Sequence, residues 1–359
     1  MPVEIQMLHL LWILSLFYYC DTVRVRKRAS GETCAIALDV GGTFLTSAIV
    51  KPDGSILEGT FRKRRIDSQG SSEQILETFI RSLGPHLRNA KEMGLRVGGI
   101  GIGIPGPFDY RKGVSLVRHK FGAIYGLNLK DELIKRLELP QNLTIRFEND
   151  AWTFLRGEVW LGAAKGCRRA VGITLGTGLG SAFMVGNRVV LQGAGVPPNG
   201  SIYDLPYEGG IVEDKISRRG IIAQYKELAG RRYREGMDVK DIAIRGINHK
   251  DKFSIQVFNE VGHRLGQVLK QILSEFRAEC LVLGGQISKS FVLFSNPLRG
   301  ELRSISTLRR ITPARAIDLS PIYGAAKLVF LGSRYHPPAQ RLDKKPTLSG
   351  LAVSHPSKI

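Results

Sequence analysis

The chain has little cysteine, few acidic residues and no apolar run long enough to cross a bilayer. Its four cysteines, Cys20, Cys34, Cys167 and Cys280, include no CxxC pair. That excludes a Cys-based zinc site and a disulfide framework, and it fits a reducing compartment. Three of them lie in or beside apolar stretches, where a thiol behaves as a small hydrophobe. The one extended apolar run, residues 8–19, is shorter than a membrane-spanning helix requires. No Lys or Arg precedes it, and the basic run RVRKR, residues 24–28, follows it, which reverses the order of a secretory signal. Residues 1–32 therefore read as a leader outside the fold, with a short membrane anchor as the alternative. The expected location is cytoplasmic.

Acidic residues number 32 against 52 Lys and Arg, a formal net charge of +20. The basic residues fall in separate clusters, at 62–65, 218–219, 231–232 and 309–310. No aromatic residues interleave them at a base-stacking spacing, so no nucleic-acid partner is expected. An excess of positive charge suits an anionic small molecule such as a nucleotide. At 359 residues the chain can bury two cores of ordinary size.

Glycine, by contrast, is plentiful at 41 residues, and much of it sits in motifs. Two stretches look like copies: AIALDVGGTFLTSAIV at 35–50 and AVGITLGTGLGSAFMV at 170–185. Each has an apolar strand, a Gly-rich turn and a second apolar strand. Around them, strands alternate with helices, so the class is α/β. A third strand is expected over 55–62, and a helix over 72–90 capped by Ser71 or Ser72, with Gly84-Pro85 breaking or kinking it. Strands follow at 97–104 and 143–147, and helices at 129–137 and 151–162. In the second half, helices are expected over 214–229, 255–276 and 322–331, and a strand over 280–283. The boundary between halves falls near Trp152, giving lobes 33–152 and 153–334, and the last helix is placed to pack back on the first lobe. From 335 to 359 Pro, Lys and Ser dominate and a disordered tail is expected.

Five motifs carry chemistry. In LDVGGT, Gly41 and Gly42 let the backbone turn its N–H groups toward a phosphate, Thr43 adds a hydroxyl, and Asp39 at the strand end can reach a Mg²⁺ ion through water. In GITLGTGLGSA, Gly176, Thr177 and Gly178 can do the same from the other half. In FENDA, Asp150 sits where a general base for a hydroxyl would be needed, and Asn149 offers both a donor and an acceptor. IGIGIPGP brings Pro105 and Gly106 into a rigid loop that can line a substrate. VLGGQI ends a strand with Gly284 and Gly285, where a flat ring can approach the backbone. Each has a plainer reading as well: a hairpin turn, a helix cap by Asn149 or Asp150, a structural loop, a helix-packing turn.

The order of these five motifs resembles the ROK family of bacterial sugar kinases and sugar-responsive repressors, over roughly residues 34–332. That resemblance implies a two-lobed actin/hexokinase-like (ribonuclease H-like) fold with duplicated βββαβα-type domains. It implies ATP and Mg²⁺ between the lobes, and homodimers. Asp150 then matches the catalytic base and Asn149 a sugar ligand, with Pro105 and Gly106 on the sugar side. Gly41, Gly42, Thr43, Gly176, Thr177 and Gly178 match phosphate loops, and Gly284 and Gly285 an adenosine-side turn. Many members follow the second loop with a Gly-Glu-x-Gly-His segment and a Cys-rich zinc loop. Here residues 193–221 contain neither His nor Cys, so no zinc is expected. Asp204, Glu208 and Glu213 are the polar residues available there. The implied function is glucokinase-like phosphoryl transfer, and the alternative is a non-catalytic sugar-binding sensor. Residues 1–33 do not read as the winged helix-turn-helix of the family's repressors.

Overall fold

A computed structural model describes residues 31–118, 120–332 and 335–338. The leader at 1–30, with Cys20 and the apolar run, and the tail from 339 lie outside the described residues. No described helix is long and apolar enough to cross a membrane.

Two five-stranded sheets share one topology. In the first, β1 (Thr33–Val40), β2 (Phe44–Val50) and β3 (Arg62–Arg65) form an antiparallel meander, and β4 (Arg96–Gly103) and β7 (Ile145–Glu148) add in parallel on the far side of β1. Two short strands, β5 (Phe108–Asp109) and β6 (Val114–Ser115), pair between them in sequence. In the second, β8 (Arg169–Leu175), β9 (Leu179–Val185) and β10 (Arg188–Val189) repeat the meander, and β13 (Cys280–Gly284) and β14 (Arg310–Pro313) repeat the parallel pair. A further hairpin joins β11 (Pro206–Tyr207) to β12 (Gly210–Ile211). The two copies seen in the sequence are thus the central hairpins of two equivalent sheets.

The pleat explains how β1 is buried on both faces. Cys34, Ile36, Leu38 and Val40 pack with Ile75, Phe79 and Leu83 of α1 (Ser72–Glu92). The alternate residues Ala35 and Ala37 pack with Ile322, Ala325 and Ala326 of α9 (Ser320–Phe330). Small residues on that face let α9 lie close: a Cβ on Gly101 of β4 would fall 1.8 Å from the Ala325 carbonyl oxygen. The second sheet does likewise with α3 (Asp150–Trp160), whose Leu155 and Phe154 rest on Gly172 of β8. Its other face is filled by α7 (Lys252–Phe276), and Val171, Ile173 and Leu175 join that core. Helices α3 and α9 therefore lie between the sheets. They touch backbone to backbone, since a Cβ on Gly157 would be 1.9 Å from the Ser320 oxygen and one on Gly324 1.6 Å from the Thr153 oxygen. The boundary expected near Trp152 falls inside α3, which contacts strands of both sheets.

Four local expectations need adjusting. The third strand spans 62–65 rather than 55–62, where only Ile56 bridges to Val50. The stretch before it turns through Thr60, whose hydroxyl donates to the Leu57 oxygen at 2.6 Å. Helix α1 runs unbroken through Pro85. Proline cannot donate to the Arg81 carbonyl, and the Arg64 guanidinium donates there instead at 3.3 Å. The helix expected over 214–229 is two, α4 (Val212–Ile216) and α5 (Arg218–Ala229), split at the extended Ser217. The split frees the Arg218 amide to donate to the Gly176 oxygen at 3.0 Å. Finally, residues 335–338 are held by hydrogen bonds at the point where the tail was expected to begin. Two further helices, α6 (Val239–His249) and α8 (Phe291–Leu302), add to those expected, while α2 (Leu129–Arg136) forms where expected.

A buried ion pair fixes the start of α3. Glu148 and Arg156 are 0% and 2% exposed. The Arg156 Nε donates to Glu148 Oε2 at 2.8 Å and Nη2 to Oε1 at 2.5 Å. Nη1 donates to the Asn187 oxygen at 3.0 Å, and the Tyr335 hydroxyl donates to Glu148 Oε1. Arg111 and Arg146 hold the same segment by donating to the oxygens of Pro337 and Gly332. Arg156→Met strands a buried carboxylate and should destabilise the fold by about 3–5 kcal/mol in urea unfolding. Adding Glu148→Leu should recover most of that loss, and a single variant as stable as the wild type would contradict the role given to the pair.

Candidate active site

Asp39 is the penultimate residue of β1, which ends at Val40 and runs into loop 41–43. The loop closes between Val40 and Leu45, with the Gly41 amide donating to the Phe44 oxygen at 2.9 Å. The second loop closes between Leu175 and Leu179 and is one residue shorter, with the Gly176 amide donating to the Gly178 oxygen at 2.9 Å. At the position of Asp39 the second copy has Thr174, two residues before its loop. Only one of the two hairpins therefore brings a carboxylate.

Asn149 and Asp150 divide the two readings of FENDA between them. Asn149 is the N-cap of α3, and its Oδ1 accepts from the Ala151 amide at 3.0 Å. Its Nδ2 donates to the Tyr110 hydroxyl at 3.2 Å, and that hydroxyl donates to the Ile104 oxygen at 3.3 Å. Tyr110 thus ties the loop of Pro105 and Gly106 to Asn149. Burial pushes its phenol well up, so it stays a neutral donor. Tyr110 belongs to no motif and stands in the short hairpin of β5 and β6 beyond IPGP.

Asp150 opens the helix without being its cap, and its Oδ1 accepts from the Ala151 amide at 2.9 Å. Burial raises its carboxyl, and the Lys120 ammonium works against that rise. Asp39 is pushed up to about 7, first by burial and then by the charge of Asp150. The two carboxyls are therefore electrostatic neighbours at the foot of loop 41–43. Gly180 of β9 abuts Ala151, where a Cβ would lie 3.0 Å from the Ala151 methyl. This contact sets the second loop's strand against the start of α3.

Glu213 supports the second loop from below. Its Oε2 accepts from the Leu179 amide at 2.9 Å and would be 2.7 Å from a Cβ on Gly178. Of Asp204, Glu208 and Glu213, Glu213 is the one that reaches this loop. Glu208 pairs with Arg264 at 3.2 Å, and Asp204 is half-buried with a raised carboxyl. Thr177 and Gly178 lie in this loop, whereas Gly284 and Gly285 lie beside it. A Cβ on Gly284 would strike the Phe154 ring at 2.4 Å, and Gly285, at φ +78°, would meet the Leu175 oxygen at 2.2 Å. Close packing accounts for both glycines. Among the described residues no three His, Cys, Asp or Glu side chains form a metal-binding group.

The sequence matches the ROK family over residues 35–330. The chain belongs to the ROK family. It is 26% identical to a glucokinase of Thermotoga maritima over 322 residues, covering 82% of this chain and 96% of that one. It is 26% identical over 313 residues to an N-acetyl-D-glucosamine kinase of Pectobacterium carotovorum, covering 81% and 97%. Its fold matches that of a ROK family glucokinase from Streptomyces griseus, solved with glucose and AMPPNP, at a TM-score of 0.67 and 23% identity, covering 83% of this chain and 100% of that one.

The Asp39 carboxyl gives a pH signature. Its ordinary value is 3.8 and its folded value about 7. Between those limits the folded ROK chain holds a proton that the unfolded chain has released, so this site's contribution to stability falls as pH rises and levels off above about 7. Asp39→Asn should melt with the wild type near pH 4 and several degrees above it near pH 8, both measured without ligand. Equal melting at both ends would show that Asp39 is not destabilised as a carboxylate.

Proposed function

We propose that this chain is an ATP-dependent sugar kinase, transferring the terminal phosphoryl group of Mg-ATP to a hydroxyl of a hexose or amino sugar. One observation carries the reading: Asn149 takes the capping role at α3, which leaves the Asp150 carboxyl, coupled to Asp39, at the foot of a Gly-rich loop. Names of relatives that act on glucose or N-acetylglucosamine support the substrate class.

On this reading residues 33–152 and 153–334 are two lobes, and the nucleotide lies between them. Amides of Gly42 and Thr43 face the phosphates from one lobe and those of Thr177 and Gly178 from the other, while the Gly41 and Gly176 amides close the two turns. Glu213 keeps the second loop in shape. Gly284 and Gly285 border the adenosine side. Asn149, with Pro105 and Gly106, orients the sugar, and Asp150 accepts the proton of the attacking hydroxyl. Lobe closure excludes water.

The donor set suits a magnesium ion held mainly by phosphate oxygens and water. Asp39 is a single carboxylate at the strand end, and it and Asp150 repel each other enough to raise Asp39. Such a cation, with Asp39 reaching it through water, would supply charge neutralisation for the triphosphate.

The test is ADP release from Mg-ATP with glucose, N-acetylated amino sugars and fructose. Sugar-dependent release is expected, and Asp150→Asn should cut turnover by about 10²–10⁴ while leaving ATP affinity nearly unchanged. Full activity in that variant would remove Asp150 as the base. Clear sugar binding without turnover would favour the sensor.

A further inference from the structure

Lys120 reaches into this cleft from outside every motif. Its backbone is fixed by its neighbour Phe121, which is 1% exposed and whose amide donates to the Ser68 oxygen at 2.8 Å. From that anchor the side chain extends to loop 41–43. A Cβ built on Gly42 would lie 3.6 Å from Lys120 Nζ and 3.6 Å from its Cδ. Its charge also acts on Asp150. Among the described residues Lys120 makes no ion pair with an acidic side chain. A lysine without a salt-bridge partner thus spans from a candidate phosphate loop toward the candidate base.

We propose that Lys120 is a further catalytic residue, whose ammonium contacts the phosphoryl group as it passes from the nucleotide at loop 41–43 to the hydroxyl held by Asp150. The proposal rests on the kinase reading. In the step, the sugar oxygen forms a bond to the terminal phosphorus, and the bond from that phosphorus to the bridging oxygen breaks, leaving its electron pair on ADP. The hydroxyl proton goes to Asp150. Lys120 keeps its own proton throughout and offsets negative charge on the oxygens of the group in transit. A compact ammonium on a flexible stem can follow that group over the short path. Glycine at 42 leaves the corridor open.

Lys120 has a second effect that a merely structural residue would lack. Asp150 is faced by Asp39 from β1, by Tyr110 from the hairpin after β4, and by Lys120. Of these only Lys120 is cationic. Removing it leaves the Asp150 carboxylate less favoured, so the acid limb of the kcat profile must move to higher pH.

The experiment compares wild type and Lys120→Met in the full chain, with kcat, KM for sugar and ATP, and the kcat–pH profile. Lys120 is exposed, and matched melting temperatures check that the variant is folded. The expected result is a loss of about 10²–10³ in kcat, with KM values changed by less than about tenfold. The acid limb should shift upward, and added methylammonium should restore part of the rate. Activity within about threefold of wild type with an unmoved limb overturns the role of Lys120 and leaves the kinase reading standing. So does a loss with neither limb shift nor rescue, because such a loss is structural. Absence of sugar-dependent turnover in the wild type overturns the kinase reading, and this proposal with it.

Discussion

Everything at the candidate site depends on how closely α3 and α9 pass. Their backbones meet at Gly157 and Gly324, where a single methyl group would strike a carbonyl oxygen at 1.9 Å or 1.6 Å. That contact sets the spacing of the two sheets, because α9 lies on the alanine face of β1 and α3 on the glycine face of β8. The N-terminus of α3 then emerges between the two Gly-rich loops. Asp150 is where it is because a helix packed on both sheets begins there.

The second constraint is charge. The protein carries +20 overall, yet two carboxyls, Asp39 and Asp150, share one half-buried corner. Close by, Glu148 is paired with Arg156 and accepts a hydrogen bond from the Tyr335 hydroxyl. Three acidic side chains near one strand end thus have different environments: one paired and fixed, one raised by burial and repulsion, one raised by burial and moderated by a lysine. Such separation of environments is how neighbouring carboxyls come to have different tasks.

Much of this was legible in the sequence because it is local. Strand alternation and Gly-rich turns revealed both hairpins, and the paired apolar-turn-apolar pattern revealed the duplicated sheets. The FENDA signature placed Asn149 and Asp150 at a strand–helix junction, although geometry was needed to tell the cap from the carboxyl beside it. What was hidden depends on long-range contact. Lys120 and Tyr110 reach the site from loops with no distinctive spacing, and only the fold tells Glu213, on the short helix α4, from Asp204 and Glu208. Pro85 looked like a break until Arg64 supplied the missing donor. Gly284 and Gly285 also meet packing demands that their motif did not announce, from Phe154 and Leu175. The strap at Tyr335 has the composition of a tail, and three arginines far away in sequence hold it.

The most direct measurement is a crystal structure with a hexose and a non-hydrolysable ATP analogue bound together. The triphosphate should lie between loops 41–43 and 176–178, and a sugar hydroxyl should stand within hydrogen-bond reach of the Asp150 carboxylate. A triphosphate bound outside those loops, or a sugar turned away from Asp150, would contradict the arrangement described here.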